Sequence, residues 1–330
     1  MQNDILDNHY KVIRRLSNSA FSQVYIVKDI NDNNQHFYAA KIKVQQNHFQ
    51  NELQMATIAS GLNNPNIIHL IGHGVGALNY NGNVINNANY MIFEYCPNRD
   101  LFAYANLGRF TERQAKNIFK KILLGVQALH EHGYCHRNLK LENILLDHNY
   151  NPKINDFMFA TQFPQNNQLN DFVGSRNYCS PQIHDHQPYN GEKADIFSLG
   201  AILIFLVTGR TGFNESRVND PCYQFIRNGN IPQYWNHWDH FTGDHINNYS
   251  NEFKDLYIRM VSFNENNRPT IAQILNHHWF DEINNMNEQQ LHQLEQNIRN
   301  EFLARANQIQ VNQALNAANH IDDDNDDNGP

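Results

Sequence analysis

The densest concentration of chemically capable side chains is the run His136-Arg137-Asn138-Leu139-Lys140-Leu141-Glu142-Asn143. It offers an imidazole, a guanidinium, an ammonium, a carboxylate and two amides. The amide of Asn138 can orient a hydroxyl group, but it cannot take its proton at neutral pH. A further acidic position, Asp156, follows in Lys153-Ile154-Asn155-Asp156-Phe157-Met158. Two histidine groups, His130, His132 and His136, and then His277 and His278, come with no Cys or carboxylate set at zinc spacing, so no zinc site is expected. Cys96, Cys135, Cys179 and Cys222 are far apart and form no C-x-x-C pair, which fits a reducing compartment without disulfides.

A chain of 330 residues, 41% hydrophobic and 18% charged, can bury one large core or two smaller ones. Asn is abundant in loops and helices alike and reads as a compositional bias. Much of the net charge of −8 comes from Asp322, Asp323, Asp324, Asp326 and Asp327 at the C-terminus, so the body is close to neutral. A general nucleic-acid surface would be basic and is not expected. The opening MQNDILDNHY lacks the basic and apolar regions of a signal peptide. The longest apolar stretch, Ala201 to Val207, is far too short to span a bilayer. The expected setting is intracellular, cytoplasmic or nuclear.

Residues 10 to 45 alternate apolar and polar in short runs and predict consecutive antiparallel strands. A helix is expected over 49 to 60, with Phe49, Leu53, Ala56 and Ile58 around Glu52. Two more strands, HLIGHGV and NYMIFEY, are joined by an Asn-rich stretch at 79 to 89 that reads as a loop. From Thr111 the pattern turns helical. Thr111 and Gln114 have capping-box spacing. Ala115, Ile118, Phe119, Ile122, Val126 and Leu129 form one apolar stripe. Further helices are expected at 194 to 208, 251 to 262 and 270 to 276. A strand-rich part of about 95 residues thus precedes a helix-rich part, which suits a bilobal α+β fold with a cleft between lobes.

The run at 136 to 143 resembles the catalytic loop of protein kinases, H-R-D-L-K-x-x-N, at every position but the aspartate, which here is Asn138. The resemblance covers about Tyr10 to Phe280 and rests on many signals in the right order. It implies a bilobal protein kinase fold: a β-rich N-terminal lobe with helix C (about 10 to 94) and a larger helical C-terminal lobe (about 98 to 280). Ala39-Ala40-Lys41 resembles V-A-x-K, whose lysine holds the ATP phosphates. Glu52, the only acidic residue between Lys41 and Pro65, is then its helix-C partner. Phe93 falls at the gatekeeper position, and Glu94 and Cys96 at the adenine-binding hinge. Asp100 falls near the ribose, and Leu16, Val24, Ala39 and Leu145 around the nucleotide. Asp156 and Asn143 match the two magnesium-holding residues. Gly174-Ser175 to Ser180-Pro181-Gln182, Asp195 to Gly200, Arg268-Pro269-Thr270 and His278-Trp279-Phe280 match later motifs. Lys140 points to the serine/threonine type.

Departures from the pattern bear on activity. The loop L-G-x-G-x-F-G-x-V reads Leu16-Ser17-Asn18-Ser19-Ala20-Phe21-Ser22-Gln23-Val24 here. Ser17, Ser19 and Ser22 replace glycines whose backbone approaches phosphates closely. Met158 replaces the glycine of D-F-G. Gln182 replaces a glutamate, so a neutral hydrogen bond to Arg268 is expected in place of an ion pair. Asp171 stands where many kinases carry an activating phosphothreonine, and a carboxylate there would pair with Arg137.

The resemblance implies a protein that binds ATP, with Mg2+, through Leu16, Ser17, Ser19, Val24, Ala39, Lys41, Glu52, Glu94, Cys96, Asp100 and Leu145. Asn138, Lys140, Asn143 and Asp156 occupy the reaction centre. Without the proton-accepting aspartate, the expected role is that of a pseudokinase, signalling through a protein partner as an allosteric element or scaffold. The alternative is a weakly active serine/threonine kinase. A third is an interaction module with an empty cleft. Residues 281 to 320, with Leu291, Leu294, Ile298, Phe302 and Ile309 at helical spacing, predict a helix packed on the C-terminal lobe. The tail from 321 to 330 is expected to be disordered.

Overall fold

A computed structural model describes residues 4–19, 22–33, 36–43, 49–243 and 245–323. Phe21 and most of the acidic tail, 324–330, lie outside the described residues; 321–323 end the last helix.

The N-terminal strands are β1 (Ile5–Leu6), β2 (Tyr10–Asn18), β3 (Ser22–Asp29), β4 (Phe37–Lys43), β5 (Leu70–Tyr80) and β6 (Asn83–Glu94). They close into a barrel in the order β1-β2-β3-β4-β6-β5. β1 was not predicted; its two residues pair with both β2 and β5 and seal the ring, leaving Leu6 fully buried. Alternating positions fill the barrel: Val12, Tyr25, Val27, Ala40, Ile42, Tyr90 and Ile92.

The Asn-rich stretch expected as a loop is largely strand. Only Asn81-Gly82 turns, both at positive φ (51° and 77°), as a tight hairpin demands. Ladder bonds and burial of Ala88 and Tyr90 override the weak strand preference of Asn, and Asn87 (φ 53°) sits at a register shift in the ladder.

Helix α1 (Phe49–Gly61) interrupts the strands. Beyond the barrel come α2 (Leu101–Ala105) and α3 (Glu112–Glu131), then short strands β7 (Tyr134–Cys135), β8 (Ile144–Leu146), β9 (Pro152–Ile154) and β10 (Thr161–Gln162). These pair as β7 with β10 and β8 with β9. The helices α4 (Pro181–His184), α5 (Gly191–Thr208), α6 (Tyr223–Arg227), α7 (Ile231–Thr242), α8 (Asn251–Met260), α9 (Ile271–Leu275), α10 (Asp281–Asn284) and α11 (Glu288–Asp323) complete the fold. The capping box of α3 forms as expected, and every residue of its predicted stripe is buried. α5 starts earlier than expected because Asn190 caps it through Lys193 N. It is apolar on all sides, and nearly all of its residues are buried at the centre of the helical region.

α11 packs on this region through Leu294, Ile298 and Phe302. Phe302 stacks on Tyr150, and buried Arg305 donates to the carbonyls of Tyr104, Gly108 and Arg109. Among the described residues no helix is long and apolar enough to cross a membrane.

Candidate functional site

Five segments converge between the barrel and the helical region. They are the β2–β3 hairpin, β4, the link from β6 to α2, the turn into β8, and the stretch after β9. Together they line a cleft of about 650 Å³. Leu16, Ser17, Ser19, Val24, Ala39, Lys41, Glu94, Cys96, Asp100, Asn143, Leu145 and Asp156 all face it. Three predicted residues do not. Glu52 lies behind Lys41, while Asn138 and Lys140 lie outside the lining, with Asn138 contacting Asp156 from its far side. Asp100 also has a structural task, since its carboxylate caps α2 by accepting from Ala103 N.

Glu52 is interior because it shares a helical face with Phe49, Ala56 and Ala59, all buried. Packing that stripe drags the carboxylate to 1% exposure, where it must be paired. Oε1 binds Lys41 Nζ, and Oε2 lies 2.6 Å from Lys43 Nζ, an ion pair whose angles are poor for a hydrogen bond. Lys43 was not singled out by sequence reasoning. The available signal was strand alternation: Lys43 is two residues from Lys41 on the same face of β4. Lys41 also reaches Asp156 Oδ1 at 2.9 Å. Burial alone would favour a neutral lysine, but the charges of Asp156 and Glu52 outweigh it and hold the Lys41 pKa above its usual value. Burial likewise pushes Asp156 up, and Lys41 more than reverses this, leaving its pKa below the usual value.

Asp156 is held by amides on its other oxygen. Asn138 Nδ2 donates to Oδ2 at 3.2 Å and Asn143 Nδ2 at 3.4 Å. Asn143 also donates to Asn138 O at 2.8 Å, and Ser175 Oγ donates to Asn138 Oδ1 at 3.1 Å. Ser175 comes close because Gly174 adopts φ 101°, where a Cβ would lie 2.7 Å from Arg137 O. Asp156 and Arg137 themselves hold left-handed backbone (φ 68° and 62°), a conformation that costs side-chain-bearing residues some strain.

The loop carrying Asn138 is pinned from beneath. The Asp195 carboxylate, on α5, accepts from the backbone N–H groups of His136 and Arg137, both at 2.8 Å. His136 Nε2 donates to Asn155 O, leaving Nδ1 to accept from Asn138 N. Burial holds its pKa below the ordinary value, consistent with that neutral tautomer. The segment containing Met158 is tied to α1: Asn51 Nδ2 donates to the carbonyls of Met158 and Ala160. Arg137 meets Asp171 at 2.8 Å and donates to Phe159 O, so the expected pairing is present. Arg268 donates to Gln182 Oε1 at 2.6 Å, the expected neutral substitute for an ion pair.

The serine-bearing hairpin bonds to itself. Ser19 N donates to Ser22 O, and Ser22 N donates to Ser19 Oγ. Those amides are therefore engaged within the turn. Burial pushes the Cys96 pKa up to about 12, which disfavours the thiolate form.

A family profile described as "Protein kinase domain" matches residues 10–280. The chain is 28% identical over 292 residues to CBL-interacting serine/threonine-protein kinase 13 of Arabidopsis thaliana, covering 84% of this chain and 52% of that protein. It is 34% identical over 216 residues to serine/threonine-protein kinase kin-29 of Caenorhabditis briggsae, covering 65% of this chain and 25% of that protein. Sperm motility kinase 2B of Mus musculus matches at 30% over 194 residues, 58% of this chain and 37% of that protein. The chain thus spans from a quarter to about half of these relatives' lengths.

Proposed function

The chain belongs to the protein kinase family, and from that premise we propose that it binds Mg-ATP in the cleft and works as a pseudokinase, signalling through a protein partner. The observation that carries this reading is the amide of Asn138. It donates to Asp156 and accepts from Ser175, in the place where a proton-accepting carboxylate is required.

The lining suits a nucleotide. Leu16, Val24, Ala39 and Leu145 offer apolar contact to a base, and backbone groups of Glu94 and Cys96 lie beside them. Lys41 offers charge to phosphates. Asp156 and Asn143 present hard oxygen donors of the kind magnesium takes and would hold it. Magnesium, when bound, supplies charge neutralisation to the transferring phosphoryl group. The amide hydrogen bonds that Asp156 Oδ2 accepts, at 3.2 and 3.4 Å, are long, so this oxygen is only weakly engaged.

A second reading is supported by the assembled charge network. The Lys41–Glu52 and Lys41–Asp156 pairs are formed, and phosphoryl transfer depends mainly on positioning and electrostatics. A positioned base contributes roughly 10²–10⁴ in rate and kinases turn over at about 1–100 s⁻¹, so loss of the base alone leaves roughly 10⁻⁴–1 s⁻¹. In that reading the chain is a slow serine/threonine kinase.

Transfer of the γ-phosphoryl group from Mg-ATP to generic peptides, with Lys41→Ala as the contamination control, separates the two. Transfer no greater than the control's supports the pseudokinase. Transfer lost in the control makes it a kinase. If the wild-type chain binds no Mg-ATP by calorimetry, both readings fall.

A further inference from the structure

We propose that Lys43 is a positioning residue of the cleft: it serves as counter-ion to Glu52 and so leaves the charge of Lys41 available to a polyphosphate. The inference rests on the nucleotide-binding reading above.

Two independent observations lead to it. The first is the β2–β3 hairpin. A loop that cradles phosphates does so with unpaired backbone amides. Here Ser19 N is spent on Ser22 O, and Ser22 N on Ser19 Oγ, at 2.9 and 3.1 Å. The hydroxyl that a glycine lacks is what occupies the second amide. With these two amides engaged, side-chain charge gains weight in attracting phosphates.

The second is the charge arrangement on β4. Glu52 is buried to 1% exposure and is shared by two lysines, one on each carboxylate oxygen. With one lysine, Glu52 would cancel that lysine's charge, and Asp156 would leave the group net negative. With Lys43 at 2.6 Å from Oε2, Lys43 answers Glu52, the group of four charges sums to zero instead of net negative, and Lys41 is left with Asp156 at the cleft. The Lys43 side chain is only 2% exposed, so its field is little screened by water. Arg14 and Arg99 also border the cleft, but both are exposed and strongly screened. Lys43 Nζ also lies 3.7 Å from Met158 Sδ, so the long side chain replacing the glycine helps hold it.

The position can be tested in the full chain by calorimetry with Mg-ATP and with adenosine, which shares the base but has no phosphate. Lys43→Met is expected to weaken Mg-ATP binding roughly tenfold, the scale of one charge interaction at intermediate dielectric. Adenosine affinity should stay within about twofold, because it has no phosphate to feel the lost charge, and Lys43→Arg, which keeps the charge, should keep most of the ATP affinity. Lys43→Gln serves as a second neutral variant, and thermal melting reports folding.

Unchanged ATP affinity in a folded neutral variant would overturn the proposal. Equal losses for ATP and adenosine would also overturn it, as would unfolding of both neutral variants, since each assigns Lys43 to stability. A wild-type chain that binds neither ligand would instead overturn the nucleotide-binding reading and this inference with it.

Discussion

Asn138→Asp should make the metal-free protein less stable and the metal-loaded protein more active. The substitution puts a carboxylate where an amide now donates to Asp156 Oδ2 at 3.2 Å. Two unit charges about 4 Å apart repel by about 4 kcal/mol at an effective dielectric of 20. The lost hydrogen bond adds about 1 kcal/mol. Lys41 still neutralises the other Asp156 oxygen, and the Asp156 side chain is 21% exposed. Discounting for both leaves a penalty of about 2–4 kcal/mol without metal. For a chain of 330 residues that lowers Tm by roughly 3–6 °C. A divalent cation held by Asp156 and Asn143 would offset much of the repulsion, so the gap to wild type should narrow with Mg-ATP. Restoring the base should raise phosphoryl transfer by about 10²–10⁴. Thermal melts with and without Mg-ATP, beside a γ-phosphate transfer assay, read both effects. An unchanged Tm without metal would show that the Asn138–Asp156 contact carries little energy. A variant that is still stabilised by Mg-ATP yet gains no transfer would refute the claim that the missing base limits the rate.

Three further outcomes are expected. Asp171→Ala removes the partner of Arg137, and because Asp171 is 63% exposed the cost should be only about 0.5–1 kcal/mol; cleavage between 160 and 175 in limited proteolysis should nonetheless quicken. Arg305→Ala strips three carbonyls of a buried cationic donor and should lower stability to urea by about 3 kcal/mol, with earlier protease release of α11. His184 donates from Nε2 to Arg176 O and accepts from Arg217 on Nδ1. Burial, joined by the Arg217 charge, holds its pKa below 6.5. The unfolded chain therefore binds more protons as pH falls below about 6.5, so stability is full above that pH and is lost below it, by at most about 1.4 kcal/mol per unit. His184→Gln should flatten the Tm profile between pH 7 and 5; an unaltered slope would place the titration elsewhere.

Much of the fold could be read along the chain because its signals are local. The apolar stripe of α3 and its Thr111–Gln114 box lie within helical reach of one another, so periodicity alone located them. The ordered motifs from Lys41 to Arg268 identified the family, and Asn138 in the run at 136 to 143 marked the position where an amide stands. Short or context-driven elements escaped. The two residues of β1 carry no period, and the strand character of Asn-rich residues 83 to 89 comes from ladder partners that sequence alone does not supply.

The sequence by itself determined which groups are available: two lysines on one face of β4, a lone glutamate on α1, serines in place of glycines, and an amide in place of a carboxylate. Only the tertiary structure decided how they pair. It set Glu52 between Lys41 and Lys43, closed the Ser19–Ser22 turn on its own amides, and laid the Asn138 amide against Asp156. The reason is physical. Charge balance and hydrogen-bond direction depend on distances between side chains far apart in the chain, and those distances exist only once α1, β4 and the loop after β9 have packed together.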